Sequence, residues 1–171
     1  MDFFEVIAQR YSHKEGFLPD PVPLEDLEKI AQAGLSAPTG GNSQCVKLII
    51  LKNREEVDAL CQVAPTQGMR TAPAAIALLT QGKHTFEVED YSAAAAQMLL
   101  AATALGYASL WLDGPYFDED KQKGALKVLG APEDCHLWVV LPLGRPDGPG
   151  SRRTKMSFQE RVSYSKLGQP K

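Results

Sequence analysis

The chain is poor in cysteine and histidine and has no long run of one charge, and each scarcity closes a route to function. Cys45, Cys61 and Cys135 are odd in number and widely spaced. No Cys-x-x-Cys pair and no Cys/His metal spacing occurs, so neither a disulfide scaffold nor a zinc site is indicated. Free thiols fit a reducing compartment, and a cytoplasmic location is expected. Of the histidines, His136 falls in an apolar segment and reads as a packing or surface residue. His84 falls in a polar loop, and His13 alone sits in a suspicious cluster. Asp118, Glu119 and Asp120 read as a solvated helix start rather than a metal site. The net charge of -3 argues against a sequence-independent nucleic-acid binder but leaves room for a local phosphate site. "MDFFEV" carries two early acids and no basic stretch, so no secretory signal is expected. The longest apolar segment, "SAAAAQMLLAATALGYASLWL", is rich in Ala and small polar residues and is interrupted at Gly106. It reads as a buried helix followed by a strand, so no membrane association is expected. There is no Gly-x-Gly-x-x-Gly after a first strand, no P-loop and no Gly-x-Ser-x-Gly turn.

What is present suits a single globular domain or one subunit of an oligomer: 171 residues, 44% of them apolar and 23% charged. Residues 2–9 place Phe3, Phe4 and Ile7 at helical spacing. "LPDPVP" (18–23) is an extended connection. Over 24–34, Leu24, Leu27, Ile30 and Ala31 share one face of a helix that closes near Gly34. "SAPTGGNSQ" (36–44) is a loop. "VKLIIL" (46–51), "AAIALL" (74–79), "YASLWL" (107–112) and "CHLWVVLPL" (135–143) read as strands. Helices are expected after Asn53, over 90–105 and over 118–130, the last with early acids and later lysines that match the helix dipole. Residues 145–171 form a basic tail ending in "SFQERVSY". The order implies a mixed α and β domain with about four strands.

Three polar clusters could carry chemistry. "QRYSHKEGF" packs Arg10, Tyr11, Ser12, His13 and Lys14 together, either as a solvated helix end or as a site for an anion. Arg152, Arg153 and Lys155 form a second basic cluster near the other end of the chain. A phosphate needs several cations or N–H donors converging from different places, and spacing leaves open whether these two clusters meet. The third is "PTGGN" with Gln44. Its amides suit the edge of a heterocycle, and they equally suit a plain helix-to-strand turn.

Taken in order, these segments resemble the FMN-dependent nitroreductase family. Arg10, Ser12 and Lys14 meet its Arg-x-Ser-x-(Arg/Lys) motif. "PVPLEDLEKIAQAGLSAPTGGNSQ" resembles its Pro-Val-Pro, helix and Asn-x-Gln segment. "EDYSAAAAQMLLAATALGYASLWLDG" resembles its central helix and Gly turn. "LPLGRP" and "SFQERVSY" resemble its closing strand and wrap-around tail.

The resemblance implies an α+β nitroreductase-like fold: one domain over 1–171, with a central, mostly antiparallel sheet of about four to five strands flanked by helices. It implies an intertwined homodimer, with extension 145–171 reaching toward the partner subunit and FMN at the interface. It matches Arg10, Ser12 and Lys14 to phosphate and ribityl contacts, with Tyr11 beside them, and Arg153 and Lys155 to the tail's phosphate contacts. Pro38, Thr39, Gly40, Asn42 and Gln44 match the loop that lies along the flavin from the partner. Leu112, Asp113 and Gly114 match the turn beside the reactive ring edge. The implied activity is ping-pong hydride transfer from NAD(P)H through FMN to a small-molecule electron acceptor such as a nitroaromatic or quinone, with no side-chain acid, base or nucleophile required. A flavin-binding or redox-sensing module with little turnover, and a specialised flavin enzyme such as a reductive dehalogenase, are the alternatives. Three features depart from the pattern: Tyr11 stands for a common second Arg, Gly16 reads as an insertion, and Cys45–Val46 replaces a frequent Pro-Trp. The short stretch between the second strand and the central helix implies an open pocket. Cys45 reads as a small buried residue, with a redox role the weaker option.

Overall fold

The structure, a computed structural model, describes residues 1–169. Its helices are α1 (Phe3–Gln9), α2 (Leu24–Leu35), α3 (Arg54–Val63), α4 (Glu87–Ala104), α5 (Glu119–Leu129) and α6 (Phe158–Arg161). Its strands are β1 (Val46–Leu51), β2 (Ala74–Gln81), β3 (Ala108–Ser109) and β4 (Cys135–Gly144). They form one sheet in the order β1-β2-β4-β3, with every pairing antiparallel.

The two central strands read as nearly unbroken apolar runs because helices cover both faces of the sheet. Ala74, Ile76 and Leu78 of β2 join Leu27 and Ile30 of α2 and Met98 of α4 in one core. Ala75, Ala77 and Leu79 point the other way, to Val57 and Leu60 of α3 and Leu126 of α5. This is the two-residue period of a strand applied to two buried faces. On β4 the alternation is interrupted. Leu78 pairs with Val139 and Leu79 with Leu137, so Trp138 is the extra residue of a bulge. Trp138 therefore packs toward the α4 side, where its ring stacks on Tyr91 at 4.8 Å and 11°.

Helix ends follow local chemistry. Asp2 and Glu5 form a capping box on α1, Asn53 caps α3 and Asp118 caps α5. The acidic run at 118–120 is thus a helix start, as its sequence implies. Gly130 closes α5 in the left-handed conformation. Gly34 lets α2 approach α4: a Cβ there would sit 2.6 Å from the Met98 side chain.

Two expectations need correction. The strand expected over 107–112 is only Ala108–Ser109, plus a single bridge between Leu112 and Val140. Leu110 leaves the ladder to pack on Gly68, and a 3-10 turn begins at Gly114. The central helix starts at Glu87, three residues before Asp90, and takes Glu87, Glu89 and Asp90 into its first turn. Among the described residues, no helix is long and apolar enough to cross a membrane.

Candidate functional site

The two basic clusters meet. Arg10, Tyr11, Ser12 and Lys14, just after α1, and Arg152, Arg153 and Lys155 of the tail line one open cleft of about 710 Å³, with Ile7 and Ala8 as its apolar wall. The ion pairs among the described residues involve other side chains, so these cations carry no carboxylate partner. Like charges gathered without direct ion pairs repel, and a bound anion relieves that repulsion. The segment is pinned to the sheet by Ser12, which bridges Ser109 in parallel register, and by the His13 N–H, which donates to the Ser109 carbonyl at 2.9 Å.

His13 departs from a solvated-cluster reading. It is fully buried, edge-on to Phe17 at 4.9 Å. The Gly16 carbonyl, which can only accept, lies 2.7 Å from Nε2, so Nε2 carries the proton. Nδ1 faces the Tyr11 hydroxyl at 3.4 Å and the Glu15 carboxylate at 3.5 Å. His136 packs on Trp138 at 4.1 Å, and burial pushes its pKa down. His84 Nε2 lies 2.8 Å from the Gln81 carbonyl, to which it donates.

Pro38, Thr39, Asn42 and Gln44 line a second cleft of about 630 Å³, between the end of α2 and β1, with Asp90 and Ala94 of α4 at its base. The loop is tightly wound. Gly41, Asn42 and Gln44 all have positive φ, near 60°, 57° and 50°. Asn is among the few residues that accept this conformation readily, which explains its presence at 42. Gly40 is required for a different reason: a Cβ there would meet the Phe86 ring at 2.2 Å.

The residue that holds this loop is Asp90, in the first turn of α4. Its buried carboxylate accepts from the Gly40 N–H at 2.7 Å, the Ser43 hydroxyl at 2.6 Å and the Cys45 thiol at 3.3 Å. Burial alone would raise its pKa. The donors from Ser43, Gly40 and Cys45 outweigh burial and hold it below the ordinary value. Burial, reinforced by the Asp90 charge, pushes the Cys45 thiol up, so Cys45 is a poor nucleophile and serves as a buried hydrogen-bonding residue.

Leu112, Asp113 and Gly114 line neither cleft. Trp111 Nε1–H donates to Asp113 Oδ2 at 2.9 Å, which fixes the turn. A Cβ built on Gly114 meets nothing within 4 Å, so the backbone there is open to approach. Within one chain the residues named from sequence thus fall into three groups, and only the two basic clusters are brought together. Sequence reading passed over Asp90, Gly150 and the particular role of Arg152. Their signal is spatial, since each acts on a partner tens of residues away.

The family model for the nitroreductase family matches residues 7–65 and 61–145. The chain belongs to the nitroreductase family. A relative from Archaeoglobus fulgidus, named as a proposed NADH dehydrogenase/NAD(P)H nitroreductase, is 35% identical over 71% of this chain and 73% of its own. A crystal structure from Bacteroides thetaiotaomicron, with the same proposed name, superposes with a TM-score of 0.85 at 25% identity, covering 95% of this chain and 96% of that one. A nitroreductase from Bacteroides fragilis, solved with bound FMN, has a TM-score of 0.80 at 22% identity, over 97% and 100% of the two chains. At that identity it shows a shared fold. Nitroreductase-family membership agrees with the all-antiparallel sheet and with the order of motifs along the chain.

Proposed function

We propose that this chain is an FMN-dependent oxidoreductase that moves electrons from NAD(P)H to a small acceptor such as a nitroaromatic or a quinone. The observation that carries the reading is the convergence of Arg10, Lys14, Arg153 and Lys155, from opposite ends of the chain, on one cleft without carboxylate partners. A phosphate monoester near neutral pH carries close to two negative charges, and the residues present fit it: guanidinium and ammonium donors with the Ser12 hydroxyl among them. When bound, FMN would supply hydride acceptance from the nicotinamide and delivery to the second substrate in a ping-pong cycle. The chain's own part is to bind and orient. Arg10, Ser12, Lys14, Arg153 and Lys155 hold the phosphate end. Asn42 and Gln44 offer amide donors and acceptors to a heterocycle edge, and the open backbone at Gly114 offers an N–H. No side-chain acid or nucleophile is needed.

The two clefts are separate within one chain, so a shared ligand calls for a second copy that sets its 38–44 loop beside this copy's basic cleft. Exposed apolar residues support a homodimer. Phe3 and Phe4 of α1 are 63% and 77% exposed, and Met156 and Phe158 of the tail 63% and 62%. Such surface is costly to leave in water.

Purified protein is expected to be yellow, to bleach with NADH or NADPH under anaerobic conditions, and to recover colour with a quinone. Failure to take up FMN would refute the cofactor assignment. Bound FMN that neither nicotinamide reduces would move the reading to a flavin-binding module.

A further inference from the structure

Among the tail cations, Arg152 is already engaged. Its Nη1–H donates to the Ala8 carbonyl at 2.7 Å and its Nη2–H to the Gln9 carbonyl at 2.6 Å. These carbonyls belong to the last turn of α1, where the helix itself supplies no donor and where a cation also meets the negative end of the dipole. The guanidinium carbon lies 5.2 Å from the centre of the Tyr11 ring.

That ring is fixed on its other sides. It meets His13 edge-on at 5.8 Å and 80°, and its hydroxyl faces His13 Nδ1. His13, buried, is anchored in turn to the Gly16 carbonyl. Gly150 lies against the ring so closely that a Cβ there would sit 2.3 Å from Tyr11 Cε2, and its φ of 65° disfavours any other residue. Arg153 and Lys155 line the same cleft with no ion pair among the described residues.

The structure assigns Arg152 a task different from that of its neighbours: it latches the tail onto α1 and the Tyr11 ring, so that Arg153 and Lys155 stand over the cleft before a ligand arrives. Arg152 is a positioning residue and makes no phosphate contact. The inference deepens the flavin-phosphate reading and rests on it for its effect on affinity, but the latch itself is a property of the ligand-free chain. Holding two cations in place beforehand lowers the ordering cost of binding.

Backbone 15N order parameters of residues 151–157 in ligand-free protein test the latch, comparing wild type, Arg152→Ala, Arg152→Lys and the double variant Arg153→Ala/Lys155→Ala. Circular dichroism confirms that each is folded. In Arg152→Ala the order parameters are expected to fall below about 0.6, the range of a flexible chain, while the double variant keeps the wild-type values. Arg152→Lys keeps the charge but not the two-pronged donor, so its tail should also be less ordered than wild type. FMN titration is the second arm. Arg152→Ala should weaken binding about tenfold in the wild-type background and have no further effect in the double variant. A tail equally ordered in wild type and Arg152→Ala overturns the latch, and full order in Arg152→Lys overturns the two-carbonyl clamp. An equal loss of FMN affinity in both backgrounds makes Arg152 a phosphate contact and overturns its positioning role. If wild-type protein takes up no FMN, the cofactor reading falls, and the order-parameter arm still decides the latch.

Discussion

Asp90 gathers three donors from the 40–45 loop onto one buried carboxylate, and the shape of that loop depends on it. Asp90→Asn keeps the size but removes the charge and forces one amide N–H against existing donors. A loss of about 1.5–3 kcal/mol in unfolding free energy is expected. The pH dependence has a definite sign. The folded-state pKa of Asp90 lies below its ordinary value of 3.8, so its contribution is complete above pH 3.8 and is lost as pH falls through the lower folded value. Urea unfolding of wild type and Asp90→Asn, from about pH 7 to about pH 3, should show the gap between them narrowing at the acid end. A gap that is constant over that range would mean that Asp90 is not held as a carboxylate.

At the scale of elements, the end of β4 is a tight joint. Gly144 pairs with Ala108 of β3, and a Cβ on it would lie 2.7 Å from Pro73 Cδ and 3.0 Å from Phe17 Cδ1. Neither a proline ring nor a buried phenylalanine can swing away. Gly144→Ala is therefore expected to cost about 1–3 kcal/mol, measurable by thermal or urea unfolding. A neutral outcome would mean that the Phe17 side of the joint can yield.

The helices were legible because amphipathic spacing and caps such as Asn53 and Asp118 are local signals. The central strands were legible because two-sided burial leaves unbroken apolar runs. The bulge at Trp138 and the early departure of the chain after Ser109 were not. Both are set by what lies opposite, Leu78 and Leu79 in one case and Gly68 in the other.

Across the whole molecule, the site's residue types could be read from motifs, but their grouping could not. Arg10 and Arg153 line one cleft only because the tail returns to α1, and that return depends on Arg152, Tyr11 and Gly150, none of which has a periodic signature. Separation of the 38–44 cleft from the basic cleft is likewise a three-dimensional fact. It leads to the expectation of a dimer with shared sites. Phe4→Asp places a charge on a residue 77% exposed in the single chain, so an isolated subunit should tolerate it. Sedimentation should show dimer for wild type and a shift toward monomer, with weaker FMN retention, for the variant. Monomeric wild type that still binds FMN tightly would contradict a shared site.

A paired titration of ligand-free protein with FMN and riboflavin, read by flavin fluorescence, isolates the phosphate from the ring. Wild type should prefer FMN strongly, and Arg10→Ala/Lys14→Ala should lose about 1.5–3 kcal/mol per contact from FMN binding while leaving riboflavin binding nearly unchanged. Equal affinity of wild type for the two flavins, or an FMN affinity untouched by the double substitution, would contradict the assignment of the basic cleft as the phosphate site.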